Sequence, residues 1–330
     1  MESKYETPIW FARYTYKGLY PLFGLYTFQD QAIYPSLIKA ADGSTYAYAE
    51  KIAASGLTID VPFIRMDRRF SLTLGYQYLK RAFIEESRNY EEKTIISTDA
   101  SEKDEGTVWT RLSYFDGTVF RRSNSVEDGR LICVTTEKAD PCLGGSLSRW
   151  RTLADWSEYV RNPRVKNHVL KLAGTYGFGH GDRTAQGMFG LGGFGDIISA
   201  KSPGMQRSIT IRGYEANYQT GTRVAKLSSA YRFPIAGIWK GAGSAPFFAK
   251  QVFAEVFYEA GRTWDNEGKG DDLGWLHATG LECNFSMKLL RYMDFAPGLG
   301  VVYAPDRPKG GDDDDERWQF YISIKGSVNF

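Results

Sequence analysis

The chain has 330 residues, with 41 Lys and Arg against 39 Asp and Glu, and its net charge of +2 argues against nucleic acid as a partner. Aromatic residues make up 15% of the chain and glycine contributes 35 residues, yet the mean hydropathy is −0.38. Because no apolar run approaches the ~18 residues of a membrane-spanning helix, a helical membrane protein is excluded.

The cysteines and the N-terminal residues bear on the compartment. Cys133, Cys142 and Cys283 have no metal-ligand spacing, and only the first two are close enough in sequence to suggest a local disulfide, which needs an oxidising compartment. The start MESKYETPIW has no basic region followed by an apolar stretch, so no signal peptide is visible. We therefore expect either a cytosolic protein or one with a further N-terminal part.

Side chains alternate with a period of two in many segments, which is the pattern of a strand with one apolar face. In chain order, the predicted strands are 9–17, 19–29, 46–62, 68–86, 105–121, 129–137, 149–161, 166–179, 221–235, 247–264, 274–289, 292–305 and 316–330. Several exceed the usual five or six residues and reach the ~9–11 needed to cross a bilayer at a tilt.

The last strand shows the alternation most clearly. In FYISIKGSVNF, apolar side chains alternate with Tyr321, Ser323 and Lys325, so one face suits lipid and the other suits water. The residues assigned to this closing strand are Phe320, Ile322, Ile324, Gly326, Val328 and Phe330.

The predicted connections alternate in length. Short ones fall at 18–21, 62–67, 162–165 and 290–294, and long ones at 30–45, 88–104, 138–148, 180–220, 265–273 and 306–315. Short periplasmic turns alternating with long outer loops are typical of transmembrane β-barrels. A soluble β-sandwich or propeller is the alternative, and both the strand lengths and the loop alternation oppose it.

The alternation also sets strand direction. The first and last predicted strands both run towards the short-turn end, and two such strands cannot close an even antiparallel barrel. We therefore expect residues 1–330 to form a single C-terminal barrel domain of a longer protein, with about thirteen of 16 strands in this chain and one or three preceding Met1. An odd barrel with a parallel seam is the alternative.

Several ordered motifs carry a resemblance to a known family. FGLGGFG, IRGY, LSSAYRFPI and VFYEAGRTWD, followed by a strand ending in Phe330, resemble the barrel of the BamA/TamA outer-membrane assembly and translocation superfamily, the bacterial surface antigen family. The resemblance runs from about residue 165 to the C-terminus. Before residue 150 it is loose, and SNSVEDGR is similar to members in which a TolB-like propeller, rather than POTRA domains, precedes the barrel.

The resemblance implies that the loop 180–220 folds into the lumen. Its arginine is Arg212, which is followed by Gly213 and Tyr214, and the resemblance implies that it pairs with the acidic position Glu259. Side-chain parity places Glu259 on the inner face together with Glu255. A second acidic position of the family is Ala230 here, so Glu255 is a candidate substitute. Arginine suits such a contact because it stays charged and offers a fork of donors. An exposed loop arginine is the alternative.

The resemblance also implies a function and partners. The expected function is insertion or translocation of polypeptides at the bacterial outer membrane, and the expected partners are membrane lipid, polypeptide clients and periplasmic accessory domains or lipoproteins. A passive porin, receptor or structural barrel without insertase activity is the alternative.

Catalysis, metal and cofactors are not expected. The histidines are scattered, no serine and histidine share a wall position, and no spaced metal set occurs. The run GGDDDDE at 310–316 supplies oxygen ligands for a cation without the spacing of a calcium loop, and a solvated outer loop is the simpler interpretation.

Overall fold

The structure is a computed structural model. It describes residues 8–40, 45–84, 95–97, 103–120, 123, 125–184, 186–194, 208–241, 243, 246–265, 274–289, 293–307 and 317–328. The strands are β1 (Trp10–Tyr16), β2 (Leu22–Ala40), β3 (Thr45–Ile64), β4 (Arg69–Phe83), β5 (Ile95–Ser97), β6 (Glu105–Phe115), β7 (Gly129–Ala139), β8 (Arg149–Arg161), β9 (Val169–Gly181), β10 (Phe189–Leu191), β11 (Ser208–Ile209), β12 (Gln219–Gly221), β13 (Arg223–Gly241), β14 (Phe247–Trp264), β15 (Leu276–Leu289), β16 (Met293–Tyr303) and β17 (Trp318–Val328).

The predicted all-β, antiparallel architecture is confirmed. In the described residues, thirteen strands follow one another in a single sheet in the order β1-β2-β3-β4-β6-β7-β8-β9-β13-β14-β15-β16-β17, and β5 pairs with β2 beside that path. Each of the thirteen corresponds to a predicted strand, and β8 and β14 begin and end at the predicted residues. Within the same ranges, no helix is long and apolar enough to span a membrane.

The predicted connection at 30–45 is wrong, because β2 continues to Ala40 and β3 begins at Thr45. The backbone pairing of β2 with β3 continues beyond the apolar part of this hairpin. In that continuation the sequence no longer shows the two-residue alternation that marked the strand. The register of the pairing shifts between Tyr34 and Ile38, around Pro35, which has no backbone N–H to donate. Backbone pairing tolerates such an interruption, whereas a pattern based on side chains does not detect the continuation.

The two faces of the sheet differ in polarity. Along β14, Val256 and Tyr258 are each 48% exposed on the outer face, while Glu255 and Phe257 on the inner face are 3% and 2% exposed. The same outward exposure of large apolar side chains recurs along the sheet, at Leu25, Leu57, Leu74, Leu112, Tyr176, Leu227, Leu281, Leu299 and Phe320. Apolar outside and polar inside is the alternation of a transmembrane barrel strand.

The sheet curves around the connection between β9 and β13, residues 182–222, which we call the lumen loop. Asn217 of this loop donates from Nδ2 to the carbonyl of Ile33 in β2 at 2.9 Å, and the hydroxyl of Tyr214 lies 2.8 Å from the carbonyl of His277 in β15. Because β2 and β15 are far apart in the strand order, only a strongly curved sheet brings both to one loop. Among the described strands, β1 and β17 form the two edges and run in the same direction.

The cysteines are free thiols, so the suggested disulfide between Cys133 and Cys142 is absent. Cys133 lies in the middle of β7, and Cys142 lies in a single 3₁₀ turn, Pro141–Leu143, beyond the end of that strand. The extended residues between Cys133 and the strand end span roughly 20 Å at ~3.3 Å per residue, whereas a disulfide requires Cα atoms ~4.4–6.8 Å apart.

The outward stripe of the closing strand is exposed on β17. Phe320, Ile322 and Ile324 are 88%, 75% and 51% exposed. The backbones of Gly326 and Val328 pair with Phe295 and Met293 of β16, and Phe330 lies outside the described residues.

We expect Ile322→Asp combined with Ile324→Asp to prevent stable membrane assembly. A charge on a lipid-facing strand position costs ~2–4 kcal/mol near the midplane for Lys or Arg and somewhat less for Asp. The measurement is heat-modifiable migration of the barrel from isolated membranes. Leu19→Asp combined with Cys142→Asp is the matched control, because these exposed residues lie in connections, between β1 and β2 and between β7 and β8. A normally migrating Ile322→Asp/Ile324→Asp protein would contradict the assignment of this face to lipid.

Candidate functional site

The lumen loop has a small sheet and an apolar core of its own. Its strand β10 pairs with β11 in parallel and with β12 in antiparallel orientation. Five large apolar side chains of the loop are at most 2% exposed and pack in one cluster with inward residues of the wall. The loop contributes Met188, Phe189, Leu191, Ile211 and Tyr214, and the wall contributes Leu153, Val224, Phe257, Leu276 and Val302. The described parts of the loop therefore pack into the interior.

Arg212 meets the inner wall at several points. Its backbone N–H donates to Oε2 of Glu259 at 2.9 Å, and its Nη2 donates to Oε1 of the same carboxylate at 3.2 Å. Its Nη1 lies 3.4 Å from Oε1 of Glu255 and 3.3 Å from Oε2 of Glu282. The guanidinium also lies 3.2 Å from the ring centroid of Phe257. The structure thus brings Arg212, Glu255 and Glu259 together and adds Glu282, which the sequence did not single out.

The three carboxylates, which we call the wall glutamates, are between 2% and 6% exposed. Lys226 lies 3.3 Å from Glu259, and Arg232 pairs with Glu255, so three cations face three carboxylates. Burial alone would lower the pKa of Arg212, but the charges of Glu259 and Glu255 outweigh it and hold that pKa above its usual value. The loop therefore supplies one of the cations that balance charge on the barrel wall.

Gly213 and Tyr214 fix the turn that carries Arg212. Gly213 has φ of +88°, and a Cβ there would lie 3.0 Å from Cβ of Ala304, so both conformation and space favour glycine. The Tyr214 hydroxyl lies 2.8 Å from the carbonyl of His277 and 3.3 Å from Oδ2 of Asp306. Burial, with the nearby charge of Asp306, raises the pKa of Tyr214. The two residues that follow the arginine are thus held by β15 and by the segment after β16.

A polar cavity of about 290 Å³ lies against Arg212. Its lining includes Asp155, Lys171, Thr210, Ser228 and Arg232. The side chain of Arg212 is 16% exposed, so the guanidinium stands at the boundary between the packed loop and this polar space.

A second group of charges on the opposite wall was missed by the sequence analysis. Arg81 pairs with Glu50 and lies 3.0 Å from Glu105, and Arg149 also pairs with Glu105. The second charge cluster consists of Glu50, Arg81, Glu105, Glu137, Arg149 and Arg151, all at most 7% exposed.

The lumen loop also contacts the second charge cluster. Nε2 of Gln186 donates to Oε2 of Glu50 at 3.1 Å, and Nη1 of Arg151, which pairs with Glu137, donates to the carbonyl of Met188 at 3.1 Å. The start of the loop is therefore bound to β3 and β8, while Arg212 binds it to β14 and β15. Charged residues at inward parity in successive strands, near their long-connection ends, are the sequence signal that could have revealed this cluster.

No group of three or more His, Cys, Asp or Glu in the described ranges is arranged to hold a metal ion. The acidic run at 310–316 lies outside the described residues.

Two solved structures share this fold. Over 96% of this chain, BamA from Haemophilus ducreyi lacking POTRA domains 1-3 superposes with a TM-score of 0.58 at 14% identity, and CdiB from Escherichia coli with 0.57 at 11% identity. The chain covers 62% and 52% of those two chains, so it spans less than two thirds of either. A scan against protein families and a search of curated sequences gave no match. The likeness establishes a BamA-type barrel fold.

We expect Arg212→Ala to release the second half of the lumen loop, because it leaves buried carboxylates without their loop cation, at ~3–5 kcal/mol. Glu259→Ala should cost less, since Arg212 keeps Glu255 and Glu282, and the double variant should be little worse than Arg212→Ala. Arg212→Lys should retain only part of the protease protection lost in Arg212→Ala, because an ammonium does not reproduce the forked contact. The measurement is protease protection of 180–220 in membranes, together with the unfolding temperature.

The control for this cycle is Arg68→Ala, which truncates an exposed arginine in the β3–β4 turn. Simple additivity of Arg212→Ala and Glu259→Ala, or full protection in both, would show that the pair does not hold the loop.

We expect Gln186→Leu to loosen the first half of the lumen loop. The change removes the amide that donates to the buried carboxylate of Glu50, and hydrogen bonds to charged groups contribute ~1.5–3 kcal/mol. Hydrogen exchange should rise at residues 186–191 more than at 208–214, and Arg212→Ala should give the reverse. Gln319→Leu on β17 is the matched control. Equal exchange in both halves for both variants would mean that the two contacts do not act on separate parts of the loop.

Proposed function

We propose that this chain forms the wall of a bacterial outer-membrane barrel of the BamA/TamA type that inserts or translocates polypeptides, with the lumen loop held inside by Arg212. The apolar outer face, the charged inner face and the BamA-type fold support the membrane location. The observation that carries the proposal is the contact of Arg212 with the three wall glutamates, in the IRGY setting that the family resemblance singles out.

The position of the loop argues against an open channel as the main activity. Its apolar cluster fills space between the walls, and its ends are bound to opposite sides of the sheet. Because the interior is occupied in this way, a wide water-filled pore is not open to a polypeptide. The edges of the sheet are then the more suitable surface for acting on another polypeptide.

The edges of the described sheet supply a surface for such an action. A strand edge in lipid has backbone groups without water to bind them, each costing several kcal/mol if unpaired. In the described structure these edges are β1 and β17. Further strands of the protein, each other, or a client strand added by β-augmentation would satisfy them.

The partners that fit this proposal are outer-membrane lipid, unfolded or translocated polypeptides, and periplasmic accessory domains or lipoproteins. An upstream TolB-like propeller belongs to the same proposal. We propose no catalytic role, no cofactor and no nucleic-acid partner, the last because the net charge of +2 gives no polyanion footprint.

A passive porin, receptor or structural barrel is the second candidate. The observation in favour of this passive function is the extensive burial of the lumen loop, because a barrel without insertase activity does not require the loop to move. The two candidates differ in what happens to other proteins when this one is removed.

We expect the protein to fractionate with the outer membrane, to show strand-dominated circular dichroism in mild detergent, and to migrate differently on gels with and without heating. Depletion should lower the folded level or export of other proteins, and Arg212→Ala should reproduce the defect where Arg68→Ala does not. A soluble or mainly helical protein would overturn the barrel assignment. Unchanged client levels, with ion conductance across planar bilayers, would instead assign the passive function.

A further inference from the structure

Three consecutive connections at the short-turn end of the sheet expose apolar side chains at their tips. Met66 in the β3–β4 turn is fully exposed, Val119 and Phe120 in the β6–β7 connection are 62% and 45% exposed, and Val165 in the β8–β9 turn is 45% exposed. Phe120 lies under the guanidinium of Arg161 at 4.8 Å, which joins the second connection to the third. The three connections therefore form a continuous arc of the rim.

Each tip has basic residues beside it. Arg65 and Arg69 flank the Met66 turn, and Arg164 and Lys166 flank Val165 directly. All four cations are exposed, and in the described part of the chain none of their side chains takes part in an ion pair. In the sequence, Phe120 is also followed by two arginines, which lie outside the described residues.

At the long-connection end, two exposed cations are paired locally. Lys138 lies 3.4 Å from Asp140, and Arg183 pairs with Asp265. Arg65, Arg69, Arg164 and Lys166 of the short-turn arc have no ion pair of this kind among the described residues.

The depth of these cations follows from the aromatic pair that precedes the first turn. Phe63 and Phe70 are directly opposite on β3 and β4, with ring centroids 5.9 Å apart, as in an aromatic girdle at the lipid boundary. Arg65 lies two residues further, or roughly 5 Å along the membrane normal for a tilted strand. The headgroup layer of one leaflet is ~5–7 Å thick. The side chain of Arg65 is therefore at the level of lipid phosphates.

We propose that this arc is a binding site for anionic phospholipid headgroups. Arg65, Arg69, Arg164 and Lys166, which we call the basic rim, bind the phosphates, while Met66 and Val165 contact the upper acyl region. Long basic side chains place their stems along apolar surface and their charges at the headgroups. An acidic protein partner fits less well, because the cations are spread along the membrane plane. The inference rests on the proposed membrane location.

The test compares lipid selection by the refolded full chain. The barrel is reconstituted in phosphatidylcholine vesicles with and without phosphatidylglycerol, and contact of each lipid with the barrel is measured with spin-labelled lipid. Wild type should select phosphatidylglycerol, by about fivefold for each cation that contacts a headgroup, with the selection falling at high salt. Replacing the four residues of the basic rim by Gln should abolish most of it. Lys103→Gln with Lys138→Gln, at the other end, should leave selection unchanged.

The outcomes separate the two proposals. A wild-type barrel that is heat-modifiable in neutral vesicles but shows no selection would overturn the lipid site and leave the membrane barrel standing. Selection that persists in the basic-rim variant would also overturn the site, because the anionic lipid would then bind elsewhere on the barrel. A chain that folds in neither kind of vesicle would overturn the membrane location, and this inference with it.

Discussion

The interior of this protein depends on charge balance at Arg212. The wall glutamates come from two neighbouring strands, and two cations of β13 do not neutralise three buried carboxylates. The lumen loop brings the third cation, and the carboxylates in turn fix the backbone of the loop through the amide of Arg212. Removing Arg212 takes one cation from a buried site with three carboxylates, and breaking a buried ion pair in this way costs more than the pair contributes when both members are present. Loop and wall are therefore stable only together.

The second charge cluster gives the loop an attachment on the opposite wall. Gln186 reaches Glu50 on β3, whereas Arg212 reaches Glu259 on β14, so the loop connects strands that are distant in the sheet. Between these attachments the apolar cluster around Phe189 and Leu191 excludes water. Exclusion of water strengthens the charged contacts at both ends, because a lower local dielectric increases their interaction. Apolar packing and ion pairing thus reinforce each other, which is why we regard the loop as a fixed part of the wall.

The polarity of the sheet also explains why its different surfaces suit different partners. The inner face holds charge because the loop supplies partners for it, and the outer face exposes large apolar side chains because lipid takes the place of a core. Four exposed basic side chains without ion pairs lie at the short turns, where headgroups would lie. The edges β1 and β17 are the remaining surfaces whose backbone groups require partners among the described strands. Each proposed partner therefore corresponds to a different surface of one sheet.

The sequence by itself determined the strands and their faces. A period of two with apolar residues on one parity was enough to place all thirteen strands of the main path, and the parity of Glu255 and Glu259 followed from the same count. It failed where alternation stops but pairing continues, as in β2 beyond residue 30, because backbone hydrogen bonds do not depend on side-chain polarity.

Tertiary structure alone decided which charges meet. Glu282 lies on β15, 70 residues from Arg212, and Gln186 lies 136 residues from Glu50. Strand parity places these side chains on the inner face, but their approach depends on the curvature of the sheet and on the path of the lumen loop. Those two features are set by packing among distant segments, so the local pattern around each residue does not contain them.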